Sequence, residues 1–211
     1  MLCPRLPSRM STKKDTDNPS TSREPMEELL GETLFTNVQG DKISTKMALK
    51  NKDLVGLYFS AKWCPPCRQF SPILKDFYKA CAKEGRLEII YISSDQSLSE
   101  FQEYYGTMPW LSLPEGSSPT SQIKTTLSQK LQIRGIPTLV VLDAKTGKFV
   151  TNSGREDVMK AQKSPLVAVE KWKAIDSVPI EEAIMQQGGQ GGGIMSLFTY
   201  ILKNPISIFA M

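Results

Sequence analysis

The 211-residue sequence predicts an α/β fold, with a central mixed sheet that carries helices on both faces. Three apolar runs, at residues 54–60, 87–93 and 138–143, have the length and composition of buried strands. Stretches with apolar residues at helical spacing separate these runs. Strands that alternate with helices pack as a sheet covered on both sides, which gives the fold class.

The N-terminal residues 1–26 are rich in Ser, Thr, Pro and charge and show no apolar periodicity. This composition predicts a disordered N-terminal extension. The first fourteen residues are basic and contain no acid, so a targeting presequence remains the alternative. The folded domain is expected to extend from residue 27 to residue 180.

The smaller elements of this domain follow from local signals. A hairpin is expected between residues 34–36 and Ile43, because Gly40 marks a turn between two apolar runs. Apolar residues between Phe70 and Cys81 recur at helical spacing and predict a helix directly after the first buried strand. Further helices are expected at residues 45–51, 97–105, 121–131 and 167–175, and a short strand at 148–150.

The C-terminal residues differ in composition from the domain. Residues 181–193 are dominated by Gln and Gly toward their end, which predicts a flexible linker. Residues 194–211 then hold twelve apolar residues and one charge, Lys203. This hydrophobic tail is expected to attach the domain to a membrane. A spanning helix and an interfacial helix both remain open, because Lys203 and Pro205 disfavour a span.

Charge and cysteine content exclude several functional classes. The formal charge of +4 comes from four basic residues near the N-terminus, and the remainder has 22 basic and 22 acidic residues. A neutral domain has no basic face for nucleic acid, so that partner is not expected. Four cysteines, with one close pair, do not form an extracellular disulfide framework and favour a reducing compartment.

The close pair is Cys64 and Cys67, in the segment Trp-Cys-Pro-Pro-Cys-Arg between the first buried strand and the long helix. A cysteine at a helix N-terminus faces unpaired N–H groups and the positive end of the helix dipole, which favour the thiolate. Pro65 and Pro66 suit the first helical turn. Cys64 is therefore predicted to be the attacking thiolate, and Cys67 the cysteine that resolves the mixed disulfide.

Two other interpretations of the pair are weaker. A zinc site needs about four ligands, usually Cys or His. The sequence contains no histidine, and its other cysteines, Cys3 and Cys81, are isolated. A purely structural disulfide would close too short a loop to restrain the unfolded chain much. We therefore expect a redox site and no metal site.

Residues 57–68 resemble tryparedoxins, and also the related nucleoredoxins, within the thioredoxin superfamily. Three more blocks agree in order: residues 104–111, residues 135–139, and the pair Gly154 and Arg155. The resemblance covers about residues 30–175. It implies a thioredoxin-like fold and a protein-disulfide oxidoreductase with a redox-active Cys64–Cys67 disulfide and no bound cofactor.

The resemblance also implies partners. In the tryparedoxin reading, a small dithiol similar to trypanothione is the co-substrate and reductant. Electrons pass through Cys64–Cys67 to target disulfides, such as those of peroxiredoxin-type peroxidases, so the pathway serves peroxide detoxification. One alternative is a thioredoxin- or nucleoredoxin-like reductase fed by a flavoprotein reductase. Another is a membrane-tethered redox adaptor that captures clients with little turnover.

Substrate-binding residues are carried over on the matching blocks. The resemblance implies a cis peptide bond before Pro137, beside the cysteines, where Ile136 offers its backbone to an extended substrate. Trp63 would form an apolar platform, with Pro65 beside it between the cysteines. Arg155 would clamp a carboxylate of a glutathione-type ligand.

Two positions depart from the related families. Thioredoxin carries a buried carboxylate six residues before the first cysteine, whereas this sequence has Tyr58, as tryparedoxins do. Tryparedoxins commonly carry Trp-Asp-Glu after the second buried strand, and this sequence has Ser94, Asp95 and Gln96. The expected location is a membrane surface facing the cytosol, with the mitochondrial outer membrane as one address and a cytoplasmic protein as the alternative.

Overall fold

The computed structural model describes residues 23–81, 84, 86–116 and 118–188. These residues form one seven-stranded sheet with helices on both faces. The strands are β1 (Thr33–Phe35), β2 (Lys42–Ser44), β3 (Leu54–Ser60), β4 (Leu87–Ser93), β5 (Leu111–Ser112), β6 (Thr138–Asp143) and β7 (Phe149–Thr151). The helices are α1 (Pro25–Leu30), α2 (Thr45–Leu49), α3 (Pro65–Cys81), α4 (Leu98–Tyr105), α5 (Ser118–Lys130), α6 (Gly154–Lys160), α7 (Pro165–Lys173) and α8 (Ile180–Gly188).

The sheet is mixed, with strand order β2-β1-β5-β4-β3-β6-β7. Strand β3 lies inside the sheet, where it runs parallel to its neighbour β4 and antiparallel to its other neighbour β6. The predicted hairpin is confirmed as the antiparallel pair β1–β2. The residues between α4 and α5, for which no strand was predicted, contain the short strand β5, which pairs with both β1 and β4. A thioredoxin-like α/β fold is thus confirmed.

Side chains of β3 alternate between the two layers of the core. Leu54 and Tyr58 point into one apolar cluster, and Val55, Leu57 and Phe59 into the other. The first cluster packs under α3, α4, α6 and α7, and the second under α1, α2, α5 and α8. Because both faces are covered, every residue of β3 is buried, as the continuous apolar run predicted.

Helix α3 carries the redox motif and begins at Pro65, directly after Cys64. Its buried residues recur at spacings of three and four, so one face of the helix lies on the sheet. Pro72 lies inside the helix, which continues across it to Cys81. The predicted sequence of strand, cysteine pair and helix is therefore confirmed, and it fixes Cys64 at the N-terminal end of α3.

Both predicted domain boundaries need correction. The expected disordered extension ran to residue 26, but Met26 is already buried inside α1, which Glu24 and Glu27 cap reciprocally. The expected linker began at residue 181, but α8 continues to Gly188 and buries Ile180 and Ala183 in the second cluster. Both helices are short, and their buried apolar residues pack against elements that are distant in the sequence.

Helix α6 was not predicted, because only Val158 and Met159 interrupt its polar sequence. Residues 1–22, the remaining residues of the predicted linker from 189, and the hydrophobic tail 194–211 lie outside the described residues. Among the residues that the structure does describe, no helix has the length and apolar character required to cross a membrane.

Candidate active site

Cys64 and Cys67 form a disulfide at the N-terminal end of α3, with 5.2 Å between their Cα atoms. Cys67 is completely buried, and Cys64 keeps only a small exposed fraction. The Cys67 N–H donates to Cys64 Sγ at 3.3 Å, and that sulfur lies 3.7 Å from the Ile136 carbonyl oxygen. After reduction, the same N–H would stabilise a thiolate on Cys64, which is the more accessible sulfur of the pair.

The loop before the cysteines is fastened to the end of β4. The Asp95 carboxylate accepts hydrogen bonds from the Lys62 N–H at 2.6 Å and from the Tyr91 hydroxyl at 2.6 Å. Burial, together with this carboxylate, raises the pKa of Tyr91, which keeps its hydroxyl a neutral donor. Trp63 is 47% exposed, and its Nε1–H donates to the Ser94 carbonyl at 2.8 Å. Its indole is therefore held in one orientation beside Cys64.

The second loop of the site contains Ile136 and Pro137, whose peptide bond is cis, as the resemblance implied. This loop borders a cavity of about 810 Å³ next to the cysteine pair. The lining includes the loop itself, Pro66 from the motif, and three charged residues, Arg134, Arg155 and Glu156. The cavity thus joins the cis-proline loop, the motif and the first turn of α6.

Arg155 reaches this cavity because α6 approaches β6 very closely. A Cβ on Gly154 would lie 2.6 Å from the Leu139 carbonyl oxygen, so only glycine allows this approach. The Arg155 guanidinium carbon lies 6.0 Å from the centre of the Phe70 ring, and its Nη1 is 3.7 Å from the Glu156 carboxylate. Within the described part of the chain, its buried Nε–H has no hydrogen-bond partner.

The structure therefore brings together three of the five predicted substrate-binding residues, Ile136, Pro137 and Arg155, around one cavity. Trp63 and Pro65 do not line it. Trp63 is instead bonded to the end of β4, and Pro65 is exposed at the start of α3. Sequence reasoning missed Arg134 and Glu156, although each stands next to a matched block and could have been found there.

Tyr58, at the position of the thioredoxin carboxylate, lies under the cysteine pair. Its hydroxyl is 3.4 Å from the Cys67 carbonyl oxygen and is hydrogen-bonded to Ser60 and Ser71. Burial is the main reason why the pKa of Tyr58 is raised, so the side chain stays a neutral phenol. It therefore does not act as a carboxylate-like base.

Comparison with known proteins agrees with this geometry. A family model described as thioredoxin-like matches residues 51–149. The tryparedoxin of Trypanosoma brucei brucei is 41% identical over 107 residues, which cover 50% of this chain and 72% of that protein. The structure of tryparedoxin II from Crithidia fasciculata matches at 35% identity with a TM-score of 0.60, covering 66% of this chain and 90% of that one. The chain belongs to the tryparedoxin-like proteins of the thioredoxin superfamily.

Nucleoredoxins are also similar to this tryparedoxin-like chain. The nucleoredoxin of Bos taurus is 41% identical over 106 residues, which cover 50% of this chain but only 23% of that protein. The chain thus spans about a quarter of that nucleoredoxin's length. As a member of the thioredoxin superfamily with a Cys64–Cys67 pair, the protein is a protein-disulfide oxidoreductase.

Proposed function

We propose that the protein works as a tryparedoxin-type reductase, which a small dithiol similar to trypanothione reduces and which then reduces target disulfides such as those of peroxidases. The observation that carries this proposal is the cavity of about 810 Å³ beside the cysteine pair, with arginines on its wall. This volume lies in the range of small-molecule sites, roughly 300–1,000 Å³.

The charges of the cavity suit a dithiol of the glutathione type. The buried Nε–H of Arg155 has no partner among the residues that the structure describes, and Arg134 adds a second cation, so the carboxylates of such a ligand would find donors. Glu156 adds one acid, which suits the amine of a polyamine linker. Tryparedoxin II, which is 34% identical with a TM-score of 0.60, has been solved in complex with glutathionylspermidine.

The reaction consists of two disulfide exchanges. A donor thiolate attacks Cys64 Sγ and releases the Cys67 thiolate; the second donor thiol then displaces Cys64, which leaves the donor as a disulfide and the enzyme reduced. In the oxidative half-reaction, the Cys64 thiolate attacks a target disulfide and Cys67 displaces the target. Two electrons pass from donor to target, and each released target thiolate takes up a proton. The backbone of Ile136, in the cis-proline loop beside the cysteines, would pair with an extended target segment.

The test compares Arg155→Ala with Lys160→Ala, which removes a cation from the same helix but outside the cavity. Loss of one charge-assisted hydrogen bond, about 1.5–3 kcal/mol, predicts a rise of about tenfold or more in KM for trypanothione, with a smaller change in kcat. Lys160→Ala should leave both constants unchanged. Equal KM values for the two variants would refute the clamp.

A thioredoxin- or nucleoredoxin-like function, with a flavoprotein reductase as the electron donor, is the second candidate. The observation that favours it is Gln96, which is exposed after β4 where tryparedoxins commonly carry a glutamate. Steady-state reduction with trypanothione and with a thioredoxin reductase separates the two functions. If trypanothione is the donor, Gln96→Glu should lower its KM; efficient reduction by the flavoprotein alone would reject the tryparedoxin assignment.

We also propose that residues 194–211 tether the domain at the cytosolic face of a membrane, with the mitochondrial outer membrane as the address. Their composition supports this, with twelve apolar residues and one charge. Fractionation of the full chain and of a chain ending at Gly193 tests it. Carbonate-resistant association that truncation abolishes supports a spanning tail, carbonate release supports an interfacial helix, and a soluble full chain rejects the tether.

A third candidate function, which the tether would suit, is a redox adaptor with little turnover. Such an adaptor would capture clients by a mixed disulfide or by non-covalent docking. Client binding that survives Cys64→Ser unchanged would favour the adaptor. Loss of binding with Cys64→Ser, combined with trapping of clients by Cys67→Ser, would favour turnover.

A further inference from the structure

Four hydroxyl groups form a closed cluster under the redox helix. Tyr58 and Ser60 come from β3, Ser71 from α3 and Tyr104 from α4. Going round the ring, the oxygens are separated by 2.8 Å from Tyr58 to Ser71, 2.6 Å from Ser71 to Tyr104, 3.3 Å from Tyr104 to Ser60, and 3.0 Å from Ser60 to Tyr58. All four residues are buried. We call these residues the hydroxyl cluster.

The direction of donation around this cluster is not fixed by its geometry. In three of the four contacts either oxygen can donate. The Tyr58 proton has two acceptors, Ser71 Oγ at 2.8 Å inside the ring and the Cys67 carbonyl oxygen at 3.4 Å outside it. A hydroxyl both donates and accepts, so a connected row of hydroxyls can pass a proton without holding a charge.

The cluster lies between the buried Cys67 residue and a second cavity. Cys67, whose backbone Tyr58 contacts, has no exposed surface. Ser71 and Tyr104 line a cavity of about 400 Å³ that is separate from the one beside the cis-proline loop. One member of the hydroxyl cluster, Tyr58, therefore contacts the main chain of Cys67, and two others, Ser71 and Tyr104, line a cavity that water can enter.

The charged groups near the cluster lie around the second cavity rather than around Cys67. The second cavity is lined by four of them: Lys62, Arg68, Lys75 and Glu103. Lys62 pairs with Glu103, and Lys75 donates to the Thr107 carbonyl at 3.0 Å. Arg155, which does not line this cavity, lies over the Phe70 ring of α3. Among the described residues, no carboxylate or ammonium group is hydrogen-bonded to Cys67.

We propose that the hydroxyl cluster carries the proton that Cys67 exchanges with solvent, in place of a carboxylate base. The step follows attack of the Cys64 thiolate on a target disulfide, which forms a mixed disulfide and releases one thiolate. The Cys67 thiol loses its proton through Tyr58 and the cluster to water in the second cavity. The Cys67 thiolate then attacks Cys64 Sγ, which forms the Cys64–Cys67 disulfide and expels the second thiolate. The pair loses two electrons, and the target gains them.

A symmetrical aromatic disulfide that yields coloured thiolates separates the two steps in one stopped-flow experiment. The first thiolate reports attack by Cys64, and the second reports resolution by Cys67. Tyr58→Phe should leave the first phase unchanged and slow the second about tenfold or more near neutral pH, since positioned proton transfer contributes roughly 10²–10⁴-fold. As pH rises and hydroxide removes the Cys67 proton directly, the difference from the wild type should shrink. Tyr104→Phe should act in the same way but more weakly, because it breaks the outer end.

Tyr105→Phe is the matched control, since Tyr105 is the next residue on α4, is equally buried, and donates to the Phe35 carbonyl at 2.8 Å, outside the cluster. It should change neither phase. The pH profile distinguishes proton transfer from a structural effect. A second phase that Tyr58→Phe leaves at its wild-type rate, or slows by the same factor at every pH, would overturn the proposal. Loss of the first phase as well would also overturn it, because the cluster would then act on Cys64 and not on the Cys67 step alone.

Discussion

Replacement of Gly154 by alanine should destabilise the protein through one identifiable contact. The added Cβ would lie 2.6 Å from the Leu139 carbonyl oxygen, whereas ordinary contacts begin at 3.4 Å, so something must move by roughly 0.8 Å. Leu139 lies in β6, whose register against β3 is fixed opposite Tyr58. Helix α6 therefore has to move away from the sheet and carry Arg155 with it.

The cost follows from this displacement. Overpacking of a well-packed site costs about 1–3 kcal/mol. The helix preference of alanine over glycine returns up to about 1 kcal/mol. A net loss of about 1 kcal/mol would lower Tm by roughly 2–4 °C in a domain of this size. Urea unfolding and thermal melts of the oxidised protein measure both quantities.

Gly135→Ala is the matched control, because Gly135 lies in the neighbouring cis-proline loop and a Cβ there meets nothing within 4 Å. This variant should be as stable as the wild type or slightly more stable. Because Arg155 moves with α6, Gly154→Ala should also raise KM for the small dithiol. If the two variants unfold at the same denaturant concentration, the close approach of α6 to β6 does not require glycine at position 154.

Two further predictions concern single side chains. In the reduced protein, Cys64 should be alkylated faster than Cys67, with a pKa below that of a free thiol, because the N-terminal end of α3 and the Cys67 N–H favour its thiolate. Alkylation rates measured against pH, with mass mapping of the labelled cysteine, test this. Faster labelling of Cys67 would reverse the two roles. Asp157→Asn should cost about 2 kcal/mol at neutral pH, since the buried carboxylate accepts from Lys171 and Trp172 at 2.6 and 2.9 Å. Burial alone would raise the pKa of Asp157, but these hydrogen bonds outweigh it and hold the pKa below the ordinary 3.8. The stability advantage of the wild type over Asp157→Asn, measured from urea midpoints, should therefore disappear as the pH falls into the acid range. A stability difference that is independent of pH would contradict this.

The sequence alone was sufficient for features that depend on near neighbours along the chain. Continuous apolar runs identified β3, β4 and β6, because strands covered on both faces need apolar residues on both. The spacing of apolar residues after Cys67 identified α3, and the helix expected from residue 97 is α4, whose cap is Ser97, with its hydroxyl accepting from the Glu100 N–H. The redox pair could be located because its chemistry requires only a strand, two cysteines and a helix start in succession.

Features assembled from distant segments could be decided only by the tertiary structure. Helices α1 and α8 are too short for a clear periodic signal, and they are stable because Met26 and Ile180 are buried in the same apolar cluster. Arg134 and Arg155 meet at one cavity because Gly154 lets α6 approach β6.

The hydroxyl cluster is the clearest case of tertiary assembly. Tyr58 contacts Ser71 across 13 residues of sequence, and Ser60 contacts Tyr104 across 44. The sequence showed that a tyrosine replaces the carboxylate of thioredoxin, but the packing of α3 and α4 on β3 decides which hydroxyls surround it. Hydrogen bonds act over about 3 Å of space, and separation along the chain does not predict which groups come within that distance.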